Sequence, residues 1–297
     1  METKTMKELE TLENRIRKEV FLKDYKGQDR VVLAKDKKLQ LEEEAKTRPK
    51  FSALVPTMPT LNECVDGFRK QQLVVVSGPP KNGKSELCAT FTTNFMNQGL
   101  KCLWLPFEGM FEELFARFLD KWDFYVPNYM EQGRIEWVED KIIEAKQKFG
   151  TEIIFIDNLD FLCDPSMAKE MRGINSNYAT YVGSIVQRVK ELAVAHNVLI
   201  FLMSHITKTK WTTNKLPDSE DLRDTGKTAQ LADIVIMIIR ERSKKEDEVY
   251  TGNTAIMGVM ENRLNGKTKK MRLELSIYKE FMEIPFEKKE ESIDIGF

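Results

Sequence analysis

Residues 73–86 read LVVVSGPPKNGKSE: an apolar run, a serine, then a glycine-bounded turn that ends in lysine and serine. Gly78, Gly83, Lys84 and Ser85 fit the spacing G-x-x-x-x-G-K-[ST]. Such a turn wraps phosphate groups with backbone N–H, and glycine supplies both the backbone freedom and the close approach. The helix that follows, starting near Lys84, aims its positive end at the anion. Gly78, Pro79, Pro80, Lys81, Asn82, Gly83, Lys84, Ser85 and Glu86 are therefore expected to hold ATP or another nucleoside triphosphate. Lys84 reaches the outer phosphates and Ser85 ligates Mg²⁺.

Outward from this turn, short apolar runs alternate with helical patterns. LVVVS (73–77), CLWLPF (102–107), IIFID (153–157), VLIFLMS (198–204) and DIVIMIIR (233–240) are continuous rather than alternating in polarity, as strands buried on both faces are. Helical patterns run from Lys84 to Asn97 and from Tyr178 to His196. TAIMGVME and KMRLELSIY lie closer together and read as antiparallel strands added at a sheet edge. The fold expected is α/β, a mostly parallel sheet flanked by helices.

The flanks differ. Residues 1–50 are dense in Lys and Glu, with Met6, Leu9, Leu12, Ile16 and Val20 at helical spacing on a charged helix, and a second charged stretch before Pro49. Such a leader cannot bury a core alone; it lies on its own domain or docks on a neighbour. Residues 51–286 form the expected main domain, and 287–297 an acidic tail expected to be disordered.

Composition narrows the function classes. The 297 residues carry 46 basic and 47 acidic side chains, a net charge of −1. No global field draws the chain to DNA or an anionic membrane, so any nucleic-acid surface must be a local cluster. The N-terminus lacks the apolar core of a signal peptide, and the longest apolar runs, VLIFLM and IVIMII, fall far short of the roughly 20 residues of a span. A cytoplasmic protein, or a viral one acting in host cytoplasm, is expected. Cys64, Cys88, Cys102 and Cys163 form no C-x-x-C pair, and there are only two histidines, so buried free thiols are expected rather than disulfides or zinc.

A phosphate-binding turn of this kind needs a second carboxylate. Asp157, at the tip of IIFID, is placed to hold a Mg²⁺-bound water; Asp160 nearby reads as a solvated side chain. Hydrolysis also needs a group that activates water. Glu108 in WLPFEGM is a candidate, on a strand expected beside the one that carries the phosphate-binding turn.

Five blocks then carry a resemblance over about Phe51 to Phe286: TLNECVDGFRKQQLVVVSGPPKNGKSE, LWLPFEGMFEELFARF, IIFIDNLDFL with VQRVKELAVAHNVLIFLMSHITK, PDSEDLRDTGKTAQLADIVIMIIRER, and MENRLNGKTK. Together they resemble the RecA-type motor domain of DnaB-like replicative ring helicases, including phage primase–helicase relatives. The resemblance implies a RecA-like core and a ring, hexameric as a rule, that hydrolyses ATP to move on single-stranded DNA. It implies Glu108 as the water-activating base, followed by a helix with an arginine. It also implies His205 as a sensor of the γ-phosphate, Arg240 at the nucleotide base, and Arg263 as an arginine finger for the neighbouring subunit. The family usually has a lysine two residues before the finger; here Glu261 stands there, leaving Lys267 or Lys269 to supply a cation. The sequence reads as lacking the primase and the helical N-terminal domain of relatives.

A ring motor grips DNA through cationic channel loops. Lys208, Lys210, Trp211 and Lys215, directly after His205, are the first candidates, and Lys169 and Arg172 the second. The acidic tail ending at Phe297 is a candidate for recruiting a primase, polymerase or loader. Two other readings stay open: a RecA/RadA-type recombination ATPase, and a P-loop protein that loads or regulates a helicase.

Overall fold

The computed structural model describes residues 14–27, 30–47, 51–119, 121–131, 134–163, 178–205, 230–245 and 248–286. The chain divides into two compact units, Met1–Lys50 and Phe51–Phe297. In the first, residues 14–23 form α1 and Ala34–Thr47 form α2. Ile16, Val20, Phe21, Leu39 and Leu41 are exposed on these helices. α2 is supported by local pairs such as Lys38–Glu42 at 3.7 Å and Gln40–Glu44 at 2.8 Å, worth a few tenths of a kcal/mol each. Met6, Leu9 and Leu12 of the apolar stripe lie outside the described residues.

The second unit is built on one eight-stranded sheet. Its strands are β1 (Leu73–Gly78), β2 (Cys102–Pro106), β3 (Ile153–Asp157), β4 (Leu199–His205), β5 (Ile234–Lys245), β6 (Glu248–Asn262), β7 (Lys269–Leu275) and β8 (Phe281–Ile284). The order is β2-β3-β4-β1-β5-β6-β7-β8. β2, β3, β4, β1 and β5 are parallel; β6, β7 and β8 extend the sheet antiparallel from β5. The five apolar runs are thus the parallel strands and the two later segments are the added antiparallel pair, with β8 a strand the sequence reading did not separate. One expectation is corrected. β2 does not lie beside β1 but at the sheet edge, with β3 and β4 between them. The crossover through the helix after β1 carries the chain past two strand positions that β3 and β4 later fill.

Helices cover both faces. α3 (Pro59–Val65) and α4 (Lys84–Met96) bury Leu61, Val65, Leu87, Phe91 and Phe95 against Val74, Val76, Trp104, Phe155 and Phe201. The short α5 (Phe111–Phe115) follows β2. On the opposite face, α6 (Ile135–Phe149) presents Val138, Ile142 and Ala145, and α7 (Tyr178–Ala195) presents Val186, Val189 and Leu192, against Val75, Leu105, Ile154, Ile200 and Val235. Each strand therefore sends alternate apolar residues to opposite layers, which is why its sequence shows no polar alternation. α6 stops at Gly150, whose φ of 71° lets its N–H cap the carbonyls of Ala145 and Lys146.

The first layer is aromatic at its centre. Phe201 lies 4.8 Å from Phe155 in a stacked pair and packs on Phe68, Phe91 and Phe95. Polar groups inside this layer are matched locally. Trp104 Nε1 donates to Thr92 Oγ1 at 2.9 Å, and Phe281 N donates to Thr90 Oγ1 at 2.9 Å, which ties β8 to α4. All four cysteines are buried and unbridged, and burial pushes the Cys163 thiol up to about 11. No described helix is long and apolar enough to cross a membrane.

Phe201→Ala removes the ring on which Phe68, Phe91, Phe95 and Phe155 all pack. It is expected to cost about 3–5 kcal/mol of stability. In urea titration the midpoint should fall with the slope unchanged; a loss below about 1 kcal/mol would mean that the layer collapses around the gap.

Candidate functional site

The carboxyl ends of β1, β3 and β4 converge on a cavity of about 350 Å³. Gly78, the last residue of β1, is held so close to β5 that a Cβ there would sit 2.3 Å from the Ile238 carbonyl oxygen. Gly83 has φ +90° and caps α4, a conformation that favours glycine. No side chain caps this helix end, so its first N–H groups and the positive end of its dipole face the cavity.

Lys84 is buried at the start of α4. Its ammonium lies 3.1 Å from both Gly78 O and Pro79 O and 3.0 Å from His205 Nδ1, so its three protons have three acceptors. Burial lowers its pKa below the usual lysine range, opposed by nearby Glu108 and Asp157. Ser85 Oγ donates to Asp157 Oδ2 at 2.7 Å. Asp157 Oδ1 is buried without a hydrogen-bond partner. Burial raises the Asp157 pKa above the usual carboxylate range, with the Ser85 hydrogen bond opposing and Glu108 adding to it. A hydroxyl and a partnerless carboxylate oxygen side by side, next to a phosphate-binding turn, form a donor set that fits a hard divalent cation such as Mg²⁺ with its water shell.

Glu108 reaches this rim from the sheet edge. Its backbone N–H donates to Asp157 O at 2.9 Å. Its carboxylate faces His205 Nε2 at 3.2 Å and accepts from Asn158 Nδ2. Arg240 lines the cavity from β5; its backbone N–H donates to Asn82 Oδ1 at 3.2 Å, and its side chain passes beside Gly83. Lys81 and Glu86 also line the cavity, while Pro79 is buried and Pro80 exposed at the turn.

The structure thus brings together Lys81, Asn82, Gly83, Lys84, Ser85, Glu86, Glu108, Asp157, His205 and Arg240 on one wall. Arg263 stands apart. It is exposed in the turn after β6, and its backbone N–H donates to Asp233 O at 2.9 Å, beside the first residue of β1. The six residues of β1 separate it from the cavity by roughly 16 Å at about 3.3 Å per residue. Glu261 is exposed on β6, and Lys267 and Lys269 are exposed nearby. Lys169, Arg172, Lys208, Lys210, Trp211, Lys215, the D-L-R-x-T-G block and the acidic tail lie outside the described residues.

Two residues of the cavity region had no assigned role. Arg117 lies just past α5 rather than within it, with its Nε 3.3 Å from Glu86 Oε1. Asn158 is 1% exposed, and its Oδ1 accepts from Asp160 N at 2.9 Å. An asparagine after a strand-end aspartate gives no sequence signal of its own; Arg117 was visible only as the arginine of a resembling block.

The family model for the DnaB-like helicase C-terminal domain matches residues 122–283, more than half of the chain. The chain belongs to the DnaB-like helicase C-terminal domain family. It is 22% identical over 236 residues to a probable replicative DNA helicase of Trieres chinensis, covering 70% of this chain and 50% of that protein. The chain spans about half the length of the curated relatives it matches. Among solved structures, an ATPase domain superposes with a TM-score of 0.66 at 16% identity, over 86% of this chain and all of that one. A DnaB-like replicative helicase, solved in a study of its interactions with primase, superposes with a TM-score of 0.62 at 17% identity, over 87% of this chain and 69% of that one. The DnaB-type ATPase fold, RecA-like with its parallel core and flanking helices, is therefore the fold of this chain.

In a DnaB-like domain the half-buried Asp157 carboxylate, with its Oδ1 fully enclosed, is a local cost. Its folded pKa is raised, so its contribution to stability is fully present below the unfolded value of about 3.9 and is lost as pH rises through the folded value. Asp157→Asn removes that loss. At pH 7 the ligand-free variant should be more stable than the parent, with a higher melting temperature. The difference should vanish toward pH 4. Calorimetry across that range checks it, and an equal gain at all pH values would exclude the electrostatic cause.

Proposed function

We propose that this chain is the motor of a replicative DNA helicase, a homo-oligomeric, hexameric ring that hydrolyses ATP to move along single-stranded DNA. The observation that carries the reading is the meeting of Lys84, Ser85, Asp157, Glu108 and His205 on one cavity in a chain of the DnaB-like family. Triphosphate takes the α4 N-terminus and the backbone N–H groups of the turn. Lys84 exchanges its three internal acceptors for phosphate oxygens, which frees His205 Nδ1. Ser85 and Asp157 hold Mg²⁺, which when bound neutralises phosphate charge. Glu108 orients and deprotonates the attacking water, and His205 sits between Lys84 and Glu108, where a change at the phosphate reaches both. Arg240 flanks the nucleotide.

Arg263 cannot serve its own cavity from the far end of β1, so it completes that of a neighbour, with Lys267 or Lys269 supplying the cation absent at Glu261. Lys208, Lys210, Trp211 and Lys215 follow His205 directly in sequence and contact DNA phosphates and bases, as do Lys169 and Arg172. Residues 1–50 dock on an adjacent subunit, and the acidic tail ending in Phe297 recruits a primase, polymerase or loader in the cytoplasm of a cell or a virus-infected host.

Lys84→Ala should abolish ATP hydrolysis and fork unwinding. Arg263→Ala should lower single-stranded-DNA-stimulated hydrolysis about 10³-fold although it is remote from the cavity. Mixing the two inactive variants should restore part of the activity, because one contributes an intact cavity and the other an intact arginine. Full activity of Arg263→Ala, or no recovery on mixing, excludes the shared site; a single protomer under all nucleotide and DNA conditions excludes the ring.

A further inference from the structure

We infer that Asn158 is a positioning residue, the group that sets the Glu108 carboxylate for attack on the triphosphate; the inference rests on the reading of Glu108 as the water-activating base. Glu108 follows the edge strand β2 and its side chain is 43% exposed. Among the described residues only Asn158 and His205 are within hydrogen-bonding distance of its carboxylate. A glutamate on an open rim has several rotamers to lose, and holding one of them is an entropic cost that a rigid partner must offset.

Asn158 is rigid. It is 1% exposed, and its amide cannot turn over. Oδ1 is committed to Asp160 N at 2.9 Å, which leaves Nδ2 as the face toward Glu108. The neighbouring histidine fixes the same polarity. Lys84 has only protons to offer His205 Nδ1 at 3.0 Å, so the neutral ring carries its proton on Nε2. That proton is donated to Glu108 at 3.2 Å. Asn158 Nδ2 and His205 Nε2 lie 3.0 Å apart. Both are donors, so they do not bond to each other but converge on the one acceptor between them, the Glu108 carboxylate. Two donors from two different strand ends define its place and plane.

His205 must respond to the phosphate through Lys84, so it is the variable donor. Asn158 has no hydrogen bond to Lys84 or to the turn, so it is the constant one. Its loss should lower the rate of the chemical step and leave nucleotide binding alone, because a small displacement of a reacting group costs rate rather than affinity.

The test uses the full chain with ATP and a single-stranded oligonucleotide. Asn158→Asp keeps the size and the acceptor for Asp160 N but replaces the donor with a carboxylate facing Glu108; Asn158→Ala removes both. The expected result is a fall in kcat of about 10-fold or more for both variants, with Asn158→Asp at least as impaired as Asn158→Ala. KM for ATP should stay close to the parent value in both variants, and circular dichroism should show the parent fold. In a Glu108→Gln background, Asn158→Ala should cause little further loss in single-turnover hydrolysis. Wild-type turnover in Asn158→Asp beside an impaired Asn158→Ala would reduce Asn158 to a packing role and overturn the inference. A rise in DNA-independent hydrolysis in either variant would make the contact a brake and overturn it equally. Undiminished turnover in Glu108→Gln itself would instead remove the reading of Glu108 on which the inference stands.

Discussion

Parallel pairing of β1, β3 and β4 is the constraint on which the site depends. Gly78 pairs with His205 across β1 and β4, and Pro106 pairs with Asp157 across β2 and β3. In parallel strands of matched register every carboxyl end falls on the same rim, so four segments far apart in sequence finish within hydrogen-bonding distance of one another. β1 lies between β4 and β5, while the chain leaving β1 crosses to the far edge at β2. That change of direction opens the crevice at the rim where ligands of open α/β sheets bind. α4 begins in this crevice, and its free N–H groups complete the wall.

Burial works against the charges gathered there. Lys84 is buried and Asp157 half-buried, each with its charged form disfavoured by burial. Lys84 is satisfied by two carbonyls of its own turn and a histidine, and Asp157 by a single serine hydroxyl. The stability to hold such a rim comes from the aromatic layer beneath it. Phe91 and Phe95 of α4 pack on Phe201 and Phe155, so the helix that aims at the cavity is anchored two and three turns further along.

Much of this was legible from residue order. Continuous apolar runs implied strands covered on both sides, and the spacing from Gly78 to Ser85 implied the anion site; both follow from local rules. Asp157 was legible because it ends such a run. The place of β2 was not, because strand order depends on which edge a crossover reaches, and nothing within CLWLPF encodes that. Glu108 nonetheless arrives at the site, since β3 brings Asp157 alongside it. Asn158 was illegible for another reason: its role comes from an amide orientation fixed by Asp160 N–H and by the protonation of His205, both of which are tertiary. Arg240 and His205 gained their readings from resemblance rather than from their neighbours in sequence.

The end of β1 opposite the cavity is as firmly tied as the turn. Asp233 Oδ2 accepts from Leu73 N at 2.7 Å and from the Lys190 ammonium at 2.5 Å, and Lys190 also donates to Gln71 O at 2.7 Å. The same aspartate accepts the N–H of Arg263 through its backbone oxygen. A half-buried ion pair of this kind, reinforced by backbone hydrogen bonds, resists distortion more than an exposed pair does. The turn bearing Arg263 and the turn bearing Lys84 are therefore attached to opposite ends of one short central strand. A strand buried in a close-packed sheet transmits displacement rather than absorbing it. A displacement of the phosphate turn is therefore carried along β1 toward the turn that bears Arg263.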